Sequence, residues 1–253
     1  MKALIGYTGF VGSNLLKQAS FDCLYNSKNI EEIKGNKFSQ VFCAGAPAVK
    51  WKANQDPYSD WNSITSLINN LKEIECERFI LVSTVDVYKD PNNVTEDSEV
   101  DESLLDAYGK HRFYLEQFVE DKFPKTNIVR LPGLFGDGLK KNIIYDFLHN
   151  NCIDMINCEN VFQFYNLDRI YRDIMLIIQN DIARVNFGTE PVSVKEVASF
   201  AFNINFNNTT EKMPVYYDMR TKYSTLFNSN SPGYIDSKEN ILNQIKEFVE
   251  RFN

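Results

Sequence analysis

Three glycines spaced by three, Gly6, Gly9 and Gly12, follow the apolar run Ala3-Leu4-Ile5 and run into Val11, Leu15, Leu16 and Ala19 at helical spacing. A strand that turns directly into a helix through such a segment has few uses. Gly6 permits a tight turn, Gly9 lets the backbone approach a bound phosphate, and Gly12 allows close helix–strand packing. Thr8, Phe10 and Val11 fill the intervals, so the backbone of residues 6–12 is the expected cradle. A pyrophosphate would then sit on the unpaired amides at the positive end of the helix. The plain alternative is three glycines in an ordinary turn.

The chain continues to alternate. Cys23-Leu24-Tyr25, Val41-Phe42-Cys43-Ala44, Phe79-Ile80-Leu81-Val82 and Asn127–Leu131 read as strands. Between them lie a helix with Trp61, Ile64, Leu67, Ile68, Leu71 and Ile74 on one face and another over residues 107–120. This alternation predicts an α/β fold with a doubly wound parallel sheet. After Gly136 the pattern loosens into helices over 167–179, 193–202 and 237–252, with an Asn/Thr/Ser-rich stretch at 203–232. Ser193 and Glu196 have the spacing of a capping box. We therefore expect a dinucleotide-binding core over 1–135, and over 136–253 a small substrate-binding lobe with late core elements. The acidic residues of 89–106 (Asp90, Glu96, Asp97, Glu99, Asp101, Glu102) read as a solvated excursion.

Charge narrows the partners. With 27 basic and 34 acidic residues the net charge is −7, which disfavours nucleic acid and anionic membrane surfaces. Five scattered cysteines with no C-x-x-C pair read as reduced thiols, and two histidines make a zinc site unexpected. The apolar stretch at the N-terminus is too short for a signal sequence and no run reaches transmembrane length, so the cytoplasm is the expected compartment. A reader of a ribose 2′-hydroxyl would be an Asp or Glu after the second strand. Asn26-Ser27-Lys28 stands there instead, which suits a 2′-phosphate and favours NADP over NAD.

Tyr108 and Arg112 lie at i and i+4 on one helix face, and Thr84 closes a central strand at the end where open α/β sheets hold ligands. Taken with Gly6-x-x-Gly9-x-x-Gly12, the segments Ser83-Thr84-Val85-Asp86-Val87-Tyr88, Tyr108-Gly109-Lys110-His111-Arg112, Arg130–Gly136 and Asn186–Glu196 resemble the extended short-chain dehydrogenase/reductase family, in its nucleotide-sugar epimerase/dehydratase branch. The resemblance implies a Rossmann-type sheet, an NAD(P) cofactor, a nucleotide-linked sugar substrate and a homodimer. It implies that Tyr108 moves the proton at the reacting oxygen, that Thr84 bonds the same oxygen, and that Arg112 holds the nicotinamide ribose. Asp86 stands where the dehydratases carry an acidic general base; a polar residue closing a loop is the other reading.

Ala44-Gly45-Ala46 resembles the small-residue floor beneath the cofactor. The segment around Lys52 is similar to one in 4-keto-6-deoxysugar reductases that commonly use NADPH. Lys140, Lys141 and Asn142 fall where the family begins its substrate lobe, and the lysines either bind a diphosphate or coat a solvated loop. One departure matters: the family's Tyr-x-x-x-Lys has arginine in the last position. A free tyrosine near pKa 10 is about three units from neutral pH, a gap of roughly 4 kcal/mol. A cation at about 4–6 Å supplies about 3–4 kcal/mol at intermediate dielectric, so Arg112 is expected to acidify Tyr108. Epimerisation, dehydration and net reduction, including reduction of a 4-keto-6-deoxysugar, all fit. So does a catalytically silent NAD(P)-binding regulatory protein.

Overall fold

A computed structural model describes residues 1–227 and 229–252. The chain forms two compact units. The first comprises Met1–Asp90, Ser98–Arg130 and Ile170–Val185; the second takes Pro91–Asp97, Leu131–Arg169 and the chain from Asn186 onward.

The first unit carries the sheet. Its strands are β1 (Lys2–Ile5), β2 (Cys23–Tyr25), β3 (Lys37–Cys43), β4 (Glu75–Thr84), β5 (Thr126–Leu131) and β6 (Arg184–Asn186), in the order β6-β5-β4-β3-β1-β2. β1 pairs parallel with β2 on one side and β3 on the other, with Leu4 opposite both Leu24 and Phe42, and β3 pairs parallel with β4. The chain thus reverses its direction of travel across the sheet at β1 and β3. Such a switch point opens a crevice at the carboxyl ends of the two strands, where α/β sheets bind ligands.

Helices α1 (Phe10–Gln18), α2 (Lys50–Gln55), α3 (Pro57–Leu71), α4 (Ala107–Lys122) and α5 (Ile170–Gln179) complete the unit. Asp56 accepts from the Ser59 amide and Pro57 opens α3, so the break between α2 and α3 is written in a cap and a proline. Ile64, Leu67, Ile68 and Leu71 of α3 join Leu115 and Val119 of α4 and Val41, Phe79 and Leu81 of the sheet in one core. Inside it lies a buried ion pair. Arg130 of β5 donates to Glu116 of α4 from Nε (3.0 Å) and Nη2 (2.5 Å), and both side chains have no exposure. Ser83 Oγ donates to Glu116 at 2.5 Å, while Arg130 Nη1 donates to the Tyr88 hydroxyl at 2.6 Å. Four polar groups therefore satisfy one another and tie the end of β4 to α4 and β5.

The second unit has its own core, which includes Phe135, Ile144, Phe164, Val192, Val197, Ile241 and Ile245. It is built from short strand pairs and the helices Ile143–His149, Val194–Phe202 and Lys238–Glu250. Ser193 and Glu196 form the capping box that their spacing predicts. The acidic excursion departs from a simple solvated loop. Asn92–Val94 pairs with Asp218–Met219, and Glu96 is buried, accepting from the Asn186 amide, Thr221 Oγ1 and the Lys222 amide. Three donors converge on that carboxylate, which makes its burial tolerable. Among the described residues no helix is long and apolar enough to cross a membrane.

Glu116→Gln removes the negative member of a fully buried pair and should destabilise the protein by about 3–5 kcal/mol in urea unfolding. Combining Glu116→Leu with Arg130→Met should recover much of that loss, because no charge is then left unpaired.

Candidate active site

Close approach of backbones builds the glycine turn. Gly6 has φ +84°, and a Cβ there would stand 2.3 Å from the Ala44 carbonyl oxygen; one on Gly12 would lie 2.0 Å from that of Gly6. Gly45 is pressed as tightly, since its Cβ would meet Ile5 Cγ2 at 2.8 Å. The turns after β1 and β3 are thus seated against one another at the switch point, with Ala44 and Ala46 flanking Gly45 in the second. α1 begins at Gly9, which offers no side-chain cap, and no acidic residue stands in its first turn. Its leading amides are left without a partner from the helix or from a cap. Thr8 and Gly9 are exposed beside them, with Phe10 and Val11 half-buried. This cradle, which side chains would fill, fits a pyrophosphate.

The loop after β2 holds itself in place. Asn29 Oδ1 accepts from the Asn26 amide at 2.7 Å, and Asn26 Oδ1 accepts from the Lys28 amide at 2.9 Å. Ser27 and Lys28 are exposed at its tip, and no carboxylate occurs among residues 26–29.

Thr84 ends β4, and Tyr108 lies in the first turn of α4. Asp106 caps that helix at the Gly109 amide, and Asn54 of α2 accepts from the Tyr108 amide, both at 3.0 Å. Asn54 also donates to Asp106. Gly109 sets the approach, because a Cβ there would lie 2.1 Å from the Asp86 carbonyl oxygen. The tyrosine is thereby brought to the turn that follows β4. The Thr84 hydroxyl stands close enough to the Tyr108 phenol to lower it. Thr84 Oγ1 donates to Asp86 Oδ2 at 3.3 Å, and Asp86 Oδ1 receives Lys50 Nζ at 2.6 Å. Thr84, Asp86 and Tyr108 therefore come together, with Lys50 as a fourth member that the sequence motifs had not singled out. Its available signal was the helical i, i+4 spacing that puts it on the same face as Asn54.

Arg112 lowers the Tyr108 phenol without bringing it below its ordinary value, and its bonds go elsewhere. Only 3% exposed, its guanidinium forks onto Asp60 of α3 (2.5 and 2.8 Å) and donates to the carbonyls of Pro47 (2.5 Å) and Tyr108 (3.1 Å). Its central carbon stands 3.9 Å from the Tyr108 ring centroid. The charge expected to act on the phenol is matched by a buried carboxylate. Burial pushes the Tyr108 phenol up, Asp86 adds to this, and Arg112, Thr84 and Lys50 do not offset it, so the hydroxyl stays above its ordinary value of 10.0. The acidified tyrosine expected from an Arg-for-Lys exchange is thus corrected to a protonated one.

Lys52 is exposed on α2. In the second unit Lys140 and Lys141 are exposed, while Asn142 caps Ile143–His149 by accepting from the Ile144 and Tyr145 amides and donates to the Leu134 carbonyl. Both ends of the Asn142 side chain are spent on local structure.

Asp60 also takes His111 Nδ1 at 2.7 Å, and Trp61 packs on that imidazole. Burial pushes the Asp60 carboxyl up, but hydrogen bonds from Arg112 and His111 outweigh it and hold the group below its usual 3.8. A carboxyl depressed in the folded state contributes stability that is present above its unfolded value and is lost as pH falls through its folded one. Urea unfolding across acid pH should therefore show wild type losing stability below about pH 4. The loss should be shallower in Asp60→Asn, with the gap between the two proteins narrowing as pH falls.

No protein-family model and no curated protein matches the sequence. Solved structures do match. An NAD-dependent NDP-hexosamine 5,6-dehydratase of tunicamycin biosynthesis is 15% identical with a TM-score of 0.75, over 98% of this chain and 96% of that one. A dTDP-4-dehydrorhamnose reductase from Clostridium acetobutylicum is 18% identical with a TM-score of 0.72, over 99% of each chain. MoeE5 in complex with UDP-glucose and NAD is 18% identical with a TM-score of 0.70, over 99% and 98%. At such identities the likeness is one of fold: the chain shares with these structures a parallel α/β sheet flanked by helices.

Proposed function

We propose that this chain is an NAD(P)-dependent oxidoreductase of a nucleotide-linked sugar, with Thr84 and Tyr108 managing the proton at the reacting oxygen. The observation that carries the reading is the hydroxyl pair itself. A threonine at the end of a central strand acts on a buried tyrosine, in a unit whose glycine turn leaves the leading amides of α1 uncapped. The fold's representatives include proteins described with NAD and with UDP-glucose. Residues 6–12 would hold the pyrophosphate and Ala44-Gly45-Ala46 would floor the site. Asn26, Ser27 and Lys28 would meet the adenosine ribose, and Lys28, with no carboxylate among residues 26–29, supports NADP there.

When bound, the nicotinamide supplies or accepts the hydride. The side chains do the rest. Thr84 and Tyr108 orient the sugar oxygen by two hydrogen bonds, and Tyr108 carries the proton that oxygen gains or loses. A phenol held above its ordinary value is protonated at neutral pH, which suits a proton donor to a carbonyl. Both carboxylate oxygens of Asp86 are engaged, one by Lys50 and the other by Thr84, so neither points free toward a carbon-bound proton. Both features favour carbonyl reduction, as in a 4-keto-6-deoxysugar reductase, over dehydration. The commitment of Arg112 to Asp60 favours a second reading, a silent NAD(P)-binding regulatory protein.

Steady-state assays with NADPH and a panel of nucleotide-linked keto sugars separate the two. Turnover is expected, and Tyr108→Phe should lower kcat by about 10²–10⁴-fold with cofactor affinity retained. Because Tyr108 acts as an acid, the rate should hold through neutral pH and fall only above about pH 10. Tight NADPH binding without turnover on any sugar would establish the regulatory reading instead.

A further inference from the structure

The motif arginine shares its charge with a buried carboxylate, and α2 brings a second cation to the site. Arg112 faces the ring of Tyr108 and shares its charge with Asp60, whose side chain is 4% exposed. Lys50 opens α2. Four residues later Asn54 accepts the Tyr108 amide and donates to Asp106, so the helix is fastened to the start of α4 at the tyrosine itself. That seating places Lys50 Nζ on Asp86 Oδ1 while Asp86 Oδ2 receives Thr84 Oγ1. The result is a line of contacts from Lys50 through Asp86 to Thr84, whose hydroxyl in turn acts on Tyr108.

We propose that Lys50 is a positioning residue of this site, which holds the Asp86 carboxylate against Thr84 and cancels the charge that Asp86 would otherwise place beside the Tyr108 hydroxyl. The inference rests on the reading of Tyr108 as the proton carrier. Two pairs then bracket the tyrosine: Arg112 with Asp60 along the ring, and Lys50 with Asp86 at the hydroxyl end. Lys52 is exposed on the same short helix and Asp106 stands at the cap of α4, engaged by Asn54. The charged groups that act on the phenol are Arg112, Asp86 and Lys50. Lys50 keeps 43% of its side chain exposed, so it can be replaced without opening a cavity in the core.

The test compares Lys50→Met, Lys50→Arg, Asp86→Asn and the double variant Lys50→Met/Asp86→Asn. Its first readout is the tyrosinate absorbance of Tyr108, obtained for each by subtracting the matching Tyr108→Phe protein. Lys50→Met should move the Tyr108 titration up by about one pH unit, Lys50→Arg should restore it, and the double variant should titrate at or below wild type. In turnover, Lys50→Met should lower kcat about tenfold with the cofactor KM unchanged, and Asp86→Asn should suppress that loss. An unmoved Tyr108 titration in Lys50→Met, or an effect confined to the KM of the sugar, overturns the proposal. The absorbance readout needs no turnover, so an inactive wild type would defeat the proposed reaction without deciding the role of Lys50.

Discussion

A guanidinium buried to 3% exposure survives only with a carboxylate against it, and the Arg112–Asp60 fork is the interaction around which the site is arranged. It joins α4 to α3, and through the Pro47 carbonyl it reaches the loop after β3. Those elements surround Tyr108, so one bidentate contact fixes both the ring and the floor beneath it. A lysine there would present one compact charge and could not make the same planar contacts. Arginine trades a mobile cation for a structural clamp, while burial, which Arg112 only partly opposes, keeps the proton on Tyr108.

The second constraint is proximity of backbones. Gly6, Gly12, Gly45 and Gly109 each stand where a Cβ would collide with main chain or a neighbouring core side chain. Gly6 and Gly45 press the turns after β1 and β3 together at the switch point, Gly12 seats α1 on the first of them, and Gly109 lets α4 approach the turn after β4. The cofactor cradle and the hydroxyl pair therefore arise from the same device, removal of a side chain where two segments must touch.

Much of this was legible before any coordinates. The alternation of short apolar runs and helical stripes specifies the sheet because period-two and period-3.6 burial leave different residues apolar. The glycine spacing marked the turn, and Ser193 with Glu196 marked a helix start, because those effects are local. What could not be read was pairing across distance. Asp60 sits 52 residues from Arg112, and Lys50 is 36 residues from Asp86. Glu96, taken with its acidic neighbours for solvated charge, is buried by donors more than 90 residues away apart from one at exactly that separation. Charge state followed the same rule, since the effect of Arg112 on Tyr108 depends on a carboxylate that no motif around either residue announces.

The account turns on whether the Arg112 charge is committed to Asp60. A double-mutant cycle in urea unfolding, with Asp60→Asn, Arg112→Met and the two combined, measures that commitment directly. A committed pair predicts a coupling energy of about 2–3 kcal/mol, the combined variant being far less damaged than the sum of the single ones. Additivity to within about 0.5 kcal/mol would contradict it and return Arg112 to the cofactor.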